Sequence, residues 1–132
     1  MRHITFRLKG GQLLKEEIEL QAKNIPAGVL LSVVGALENV NLRMAGATPD
    51  RQDIRNLEGP FEIVSGIGTV SSSGCHLHLS VSDKEGRVLG GHLKEGCRVG
   101  VTVEVVIGVL EGTTYRRTLD EDTGFKELET QT

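Results

Sequence analysis

The sequence is poor in aromatic and sulfur-containing side chains, and both shortages limit what the protein can be. Aromatic residues make up 3% of 132 residues, tryptophan is absent, and there are two cysteines. The core must therefore consist of Val, Ile and Leu, and a chain of this length can bury one without disulfides. Cys75 and Cys97 form neither a CxxC pair nor a zinc-finger spacing. We expect both to be reduced, mostly buried thiols of a cytoplasmic protein, with Cys97 as an additional metal ligand the minor alternative.

Long apolar runs and an excess of positive charge are also missing. The first residues lack a signal-peptide hydrophobic region, and no apolar run is long enough to span a bilayer. This predicts a soluble, cytoplasmic protein with no membrane partner. The net charge of −3 argues against an overall electrostatic grip on nucleic acid. The arginines that could form a local DNA-binding patch are interspersed with acids, which favours a solvated surface: Arg43, Arg51, Arg55, Arg116 and Arg117.

The hydrophobic pattern predicts an α+β, sandwich-like domain with a largely antiparallel mixed sheet packed with one main helix. Helical spacing of apolar residues covers residues 12–23, and an apolar run at residues 27–34 predicts a strand buried on both faces. Residues 45–59 are polar and irregular and predict a loop. We expect a single domain over residues 1–119 and a polar, weakly ordered tail over residues 120–132. Alternation predicts further strands at residues 3–8, 40–44, 61–70, 75–82, 88–93 and 99–110, and residues 113–118 fit an edge strand.

Three of the four histidines fall in one predicted β-hairpin. Residues 83–86 (DKEG) are turn-forming, and Gly86 suits a left-handed position in a three-residue loop with a bulge. In that register His78 lies directly opposite His92, and His76 lies two residues along on the same face. The other face carries leucines and valine and is expected to pack on the core. A slip of one residue would move His92 to that opposite face.

Three imidazoles on one face predict a divalent-metal site formed by His76, His78 and His92. Nitrogen ligands favour a borderline transition metal, with zinc first, over magnesium or calcium. The alternative is that these are three solvated or hydrogen-bonded histidines. His3 is expected to be an ordinary strand residue.

Several strings, in order, resemble one family. Residues 35–43 (GALENVNLR) are similar to its glycine, small apolar, strand and arginine segment, and residues 59–65 (GPFEIVS) to its Gly-x-Phe-Glu-Ile-Leu-Ser string. His76-Leu-His78 and Gly90-Gly-His-Leu93 resemble its bacterial and archaeal metal-site strings. On these motifs the chain resembles the plants-and-prokaryotes-conserved (PPC) domain, of the bacterial and archaeal stand-alone type.

The resemblance implies an antiparallel sheet in a trimeric PPC-domain fold, and thus the chain itself as partner. Plant members carry AT-hooks and lack the histidine trio. This sequence has no Arg-Gly-Arg-Pro string, and Pro60 stands where the plant string has Arg. DNA binding would therefore rest on family similarity alone.

Two functions remain open. The first is a metal-binding homotrimer that acts as a regulatory or ligand-binding module. The second is a zinc-dependent enzyme acting on an unknown small molecule, because three His ligands with an open position are typical of catalytic zinc. Glu62 and Glu104 are acids inside strands, and the sequence places neither them nor Arg43 at the metal.

Overall fold

The computed structural model describes residues 2–132, and most of them lie in strands. The single α-helix among them, α1, spans Leu14–Gln21 and continues into a short 3-10 helix at Ala22–Asn24. The strands are β1 (Arg2–Lys9), β2 (Gly28–Arg43), β3 (Ile54–Ser71), β4 (Gly74–Ser82), β5 (Val88–Leu93), β6 (Val99–Val109), β7 (Thr114–Leu119) and β8 (Lys126–Gln131).

Six strands form one antiparallel sheet in the order β1-β6-β2-β3-β4-β5, and β7 pairs with β8 in a separate hairpin. The sheet curls until β5 also pairs with β2, at Leu42 and Arg43. Strands β2 and β3 are 16 and 18 residues long, and register shifts interrupt their ladders. Such bulges bend and twist a strand, which lets long strands curl rather than stay flat. The curl brings the end of β2 beside the β4–β5 hairpin.

The interior is aliphatic, as the composition predicts. Helix α1 and the 3-10 helix that continues it form because Leu14, Ile18 and Ala22 recur at a spacing of four and all point into the core, where each is at most 1% exposed. Alternate residues of β6, such as Val103 and Val105, are buried against them. Pro26 follows the 3-10 helix and prevents its continuation. The antiparallel sheet with one short helix agrees with the α+β prediction.

The two thiols are free in the described residues. Cys75 packs against the core, and burial raises the pKa of its thiol to about 11. Cys97 lies fully inside the core, where its Sγ accepts a hydrogen bond from the backbone N–H of Asn41 at 3.2 Å. Cys97 is therefore packed away from the histidine face of the hairpin.

Three segments differ from the sequence-based assignment. The strands predicted at residues 27–34 and 40–44 are parts of one strand, β2, which runs from Gly28 to Arg43 through a bulge between Leu37 and Asn39. The side chain of Asn39 donates to the carbonyl of Gly96 and accepts from the backbone N–H of Arg98. Strand β3 begins at Ile54, inside the predicted loop. Lys126–Gln131 forms a strand paired with β7, although the pattern predicted no strand in residues 120–132. The domain boundary at residue 119 stays a prediction. No helix in residues 2–132 has the length and apolar character needed to cross a membrane.

Candidate metal centre

The turn between β4 and β5 fixes the register of the histidine hairpin. The backbone N–H of Asp83 donates to the carbonyl of Arg87 at 3.0 Å, and that of Gly86 donates to the carbonyl of Asp83 at 3.0 Å. Gly86 has φ +79°, a left-handed conformation that glycine adopts without a Cβ clash. The ladder that follows pairs His78 with His92. The predicted register is confirmed.

The apolar face of the β4–β5 hairpin packs on the core, and the histidines lie on the opposite face. Leu77, Leu79, Val81 and Leu93 are each at most 4% exposed and belong to the core. Because side chains alternate along a strand, the neighbouring histidines must point away from that core. On the adjacent strand β3, Gly68 lies opposite Leu77, and a Cβ there would collide with the carbonyl oxygen of His76. The bare glycine thus lets β3 approach the histidine strand closely.

The three imidazole rings converge. The ring centroid of His76 lies 5.1 Å from that of His78 and 4.9 Å from that of His92. The centroids of His78 and His92 are 5.7 Å apart. One nitrogen of each ring lies within 4.8 Å of the corresponding nitrogen of the other two. Tetrahedral zinc with Zn–N bonds of about 2.0–2.1 Å separates its nitrogens by about 3.4 Å, so small ring rotations suffice to close the set. The donor set therefore fits a divalent ion.

The surroundings keep two of these rings neutral at pH 7. Burial, and then the positive charge of Arg43, lowers the pKa of His92 to about 4. Burial, followed by the neighbouring His78, lowers the pKa of His76. Only neutral imidazole has a free lone pair for a metal, so no proton must be displaced from these two rings at neutral pH.

Arg43 stands beside the cluster, where the sequence could not place it. It is the last residue of β2 and pairs with His92 in the β2–β5 ladder. Its Nη2 lies 3.4 Å from Nδ1 of His92, and its Cζ lies 5.2 Å from the ring centroid of Phe125. Phe125 comes from the predicted polar tail. Its signal in the sequence was faint: one aromatic residue among polar neighbours.

Two clefts meet at Arg43 and His92. The first has a volume of about 530 Å³, and besides these two residues it is lined by His78 and by small or apolar groups. The second, of about 350 Å³, is lined by His76 together with the acids Glu19 and Glu127 and residues of the β7–β8 hairpin. Neither acid could be recognised from the sequence, because Glu19 lies on the helix and Glu127 lies beyond residue 119.

Of the other residues considered from sequence, His3, Glu62 and Glu104 lie away from the histidine cluster. His3 is exposed on β1, with its Nδ1 3.1 Å from Oγ1 of Thr5. Glu62 and Glu104 are exposed on β3 and β6 and line neither cleft. Arg117 lines the second cleft and donates to Oγ1 of Thr69 at 2.8 Å.

Known proteins resemble this chain over nearly its whole length. The family model of the Plants and Prokaryotes Conserved (PCC) domain matches residues 1–111. The Bifunctional protein GlmU of Synechococcus sp. strain JA-3-3Ab is 39% identical over 130 residues, which cover 97% of this chain and 20% of that protein. The chain thus spans about a fifth of the length of the first curated relatives that it matches.

Two solved structures have the same fold. A hypothetical protein from Salmonella is 35% identical with a TM-score of 0.91, covering 99% of this chain and 94% of its own. A metal-containing protein from Archaeoglobus fulgidus is 30% identical with a TM-score of 0.84, covering 98% and 94%. The family match extends over most of the chain and includes the whole histidine hairpin, so this chain belongs to the Plants and Prokaryotes Conserved (PCC) domain family.

Proposed function

We propose that this chain is a divalent-metal-binding domain in which His76, His78 and His92 hold one ion. The observation that carries the proposal is the convergence of one nitrogen from each ring to within 4.8 Å on a single hairpin face. Lowered pKa values keep His76 and His92 ready to bind at neutral pH. The likeness to a metal-containing protein at 30% identity supports it independently.

Zinc is the ion that we propose for this site. Three imidazole nitrogens without an oxygen-rich shell suit a borderline transition metal better than magnesium or calcium. Tetrahedral zinc held by three protein ligands keeps a fourth position for water or a ligand. Because His78 and His92 line the first cleft, that position would be reached from there. The protein would then act as a ligand-binding or regulatory module.

We also propose that the domain assembles as a homotrimer, as the family resemblance implies. Large apolar side chains on neighbouring strands are exposed in the single chain, among them Val101 at 77%, Val64 at 54% and Val34 at 52%. Large exposed apolar patches mark protein interfaces. A second and third copy would cover it.

Elemental analysis of protein purified without metal-affinity resin tests the metal proposal. We expect about one zinc per chain, and loss of most of it in a His78→Ala, His92→Ala double variant. His3→Ala is the matched control, because it removes an exposed imidazole far along the sheet and should retain the metal. Undiminished metal in the double variant, or equal loss in His3→Ala, would reject the site.

A further inference from the structure

We propose that Arg43 is the anion-binding residue of the histidine site, and that it and the bound metal together hold the oxyanion group of a small organic molecule in the first cleft. The oxyanion is a carboxylate or a phosphate. This inference rests on the proposed metal site and names the class of ligand that the site takes.

The charge of Arg43 is not matched by an acid. Within residues 2–132 no carboxylate oxygen lies within 4.0 Å of its guanidinium, whereas Arg55, Arg87 and Arg98 each pair with one or two. Of the other arginines in this range without an acid partner, Arg117 alone is partly buried, and it donates to Oγ1 of Thr69. Arg43 is also partly buried. A partly desolvated guanidinium without an anionic partner is unfavourable, and a charge-assisted bond to an oxyanion would relieve it.

Metal binding must remove the one hydrogen bond that joins Arg43 to the cluster. Guanidinium only donates, so in the 3.4 Å contact Nδ1 of His92 must be the acceptor. If the metal takes Nδ1, the lone pair is used. If the metal takes Nε2, the neutral ring carries its proton on Nδ1, which then cannot accept. In both cases Arg43 loses this partner when the metal arrives.

The metal also adds positive charge near a guanidinium. Two like charges at short range in a partly desolvated cleft repel each other. An oxyanion with one oxygen on the metal and another on Arg43 would neutralise both charges at once, and the planar fork of arginine suits this geometry. The ring of Phe125, 5.2 Å from Cζ of Arg43, would keep the guanidinium in place after its bond to His92 is broken.

The two clefts are not equivalent for an anion. Arg43 and His92 line both, but the second also contains the acids Glu19 and Glu127, whose charges offset those of Arg117 and Lys126 and compete with an anionic ligand for the cations of that cleft. The first contains no acidic residue among those the structure describes. Its volume of about 530 Å³ is in the range of small-molecule sites.

The lining of the first cleft indicates what kind of carbon skeleton is attached to the oxyanion group. Met44 and Ile67 provide apolar contact, while Ser65 and Ser80 offer hydroxyl groups. A short, partly apolar carbon skeleton fits such a cleft. An extended charged polymer does not match its size.

The cobalt-loaded protein allows metal and anion binding to be measured separately. Cobalt(II) replaces zinc at nitrogen sites, and its visible absorption changes when the open position gains a ligand. We expect saturable spectral changes on titration with acetate, isobutyrate and inorganic phosphate. The tighter of the carboxylate and phosphate arms identifies the oxyanion.

Arg43→Gln should weaken anion binding at least about tenfold, the effect of losing one charge-assisted hydrogen bond. It should bind cobalt at least as tightly as the parent, since a repelling charge is gone. Arg117→Gln is the matched control, because it removes one positive charge from the second cleft and should leave anion affinity unchanged. Arg43→Lys keeps the charge without the fork, and we expect an intermediate affinity. It also serves as the test variant if Arg43→Gln fails to fold.

The outcomes separate the two proposals. Cobalt binding without any anion titration would reject the role of Arg43 and leave the metal site standing, as would unchanged anion affinity in both Arg43 variants. Failure of the parent to bind cobalt would reject the metal site and this inference with it.

Discussion

His78 and His92 are direct cross-strand partners in the β4–β5 ladder, with ring centroids 5.7 Å apart. The pairing follows from the turn that starts at Asp83, whose carboxylate accepts hydrogen bonds from the backbone N–H groups of Glu85 and Arg87 at 2.9 and 3.0 Å. His76 joins the pair from the same face. A local turn thus brings together three side chains that are separated by up to sixteen positions in the chain.

Adjacent residues on opposite faces of β4 should respond differently to truncation. Leu79→Ala should lower the free energy of unfolding by roughly 2–5 kcal/mol, because it empties a site in the core. His78→Ala should change the stability of the metal-free protein by less than about 1 kcal/mol, because the ring is exposed. Urea denaturation of both variants measures the difference. Equal losses would mean that the two faces are assigned wrongly.

The metal-free protein should lose stability as pH falls from about 6.5 to about 4. The pKa of His92 is about 4 in the folded state, below its ordinary value of 6.5. Over this window the unfolded chain therefore binds more protons than the folded one, which favours unfolding. Above pH 6.5 the ring is neutral in both the folded and the unfolded chain, so this loss of stability is absent there. Denaturation curves across the window measure it, with His92→Gln as the comparison.

The His92→Gln variant should show a smaller change in unfolding free energy between pH 6.5 and pH 4, because it lacks the titrating ring. Identical pH dependence in parent and variant would contradict the assignment to His92. Zinc should move the loss to lower pH, because the metal competes with protons for the same lone pairs.

Light scattering should give the mass of three chains at micromolar concentration. Val101→Asp should shift the protein toward smaller species if its side chain, 77% exposed in the single chain, lies in a subunit interface. Sedimentation equilibrium provides the comparison with the parent. A monomeric parent protein would refute the trimer.

This chain alone should not bind one DNA sequence tightly. Its net charge is −3, and arginines such as Arg55 and Arg98 pair with neighbouring acids. A fluorescence anisotropy titration at physiological salt, with one duplex and its scrambled counterpart, measures this. A nanomolar, salt-tolerant complex with only one of the two would overturn the prediction.

The local parts of this fold could be predicted, and the long-range parts could not. Period-two alternation and a turn with glycine at a left-handed position determine a hairpin within twenty residues, so the register of His78 and His92 follows from the sequence. Arg43 lies 49 positions from His92. Their contact depends on how far the sheet curls, which bulges in β2 and β3 decide. No local pattern records that curvature.

The C-terminal segment contains a local strand that the sequence pattern did not predict. Residues 120–132 look like a tail because their apolar content is low, yet Lys126–Gln131 completes a two-stranded ladder with β7. Backbone hydrogen bonds form this hairpin, and they leave little trace in hydrophobic periodicity. Phe125, which lies in the turn between β7 and β8, contacts Arg43.

Anomalous diffraction at the zinc edge, on crystals of protein purified without metal-affinity resin, tests the metal site most directly. We predict one peak per chain, at about 2.0–2.1 Å from one nitrogen of each of His76, His78 and His92. A peak bound elsewhere, or three ordered imidazoles with no peak among them after zinc is supplied in excess, would contradict the account.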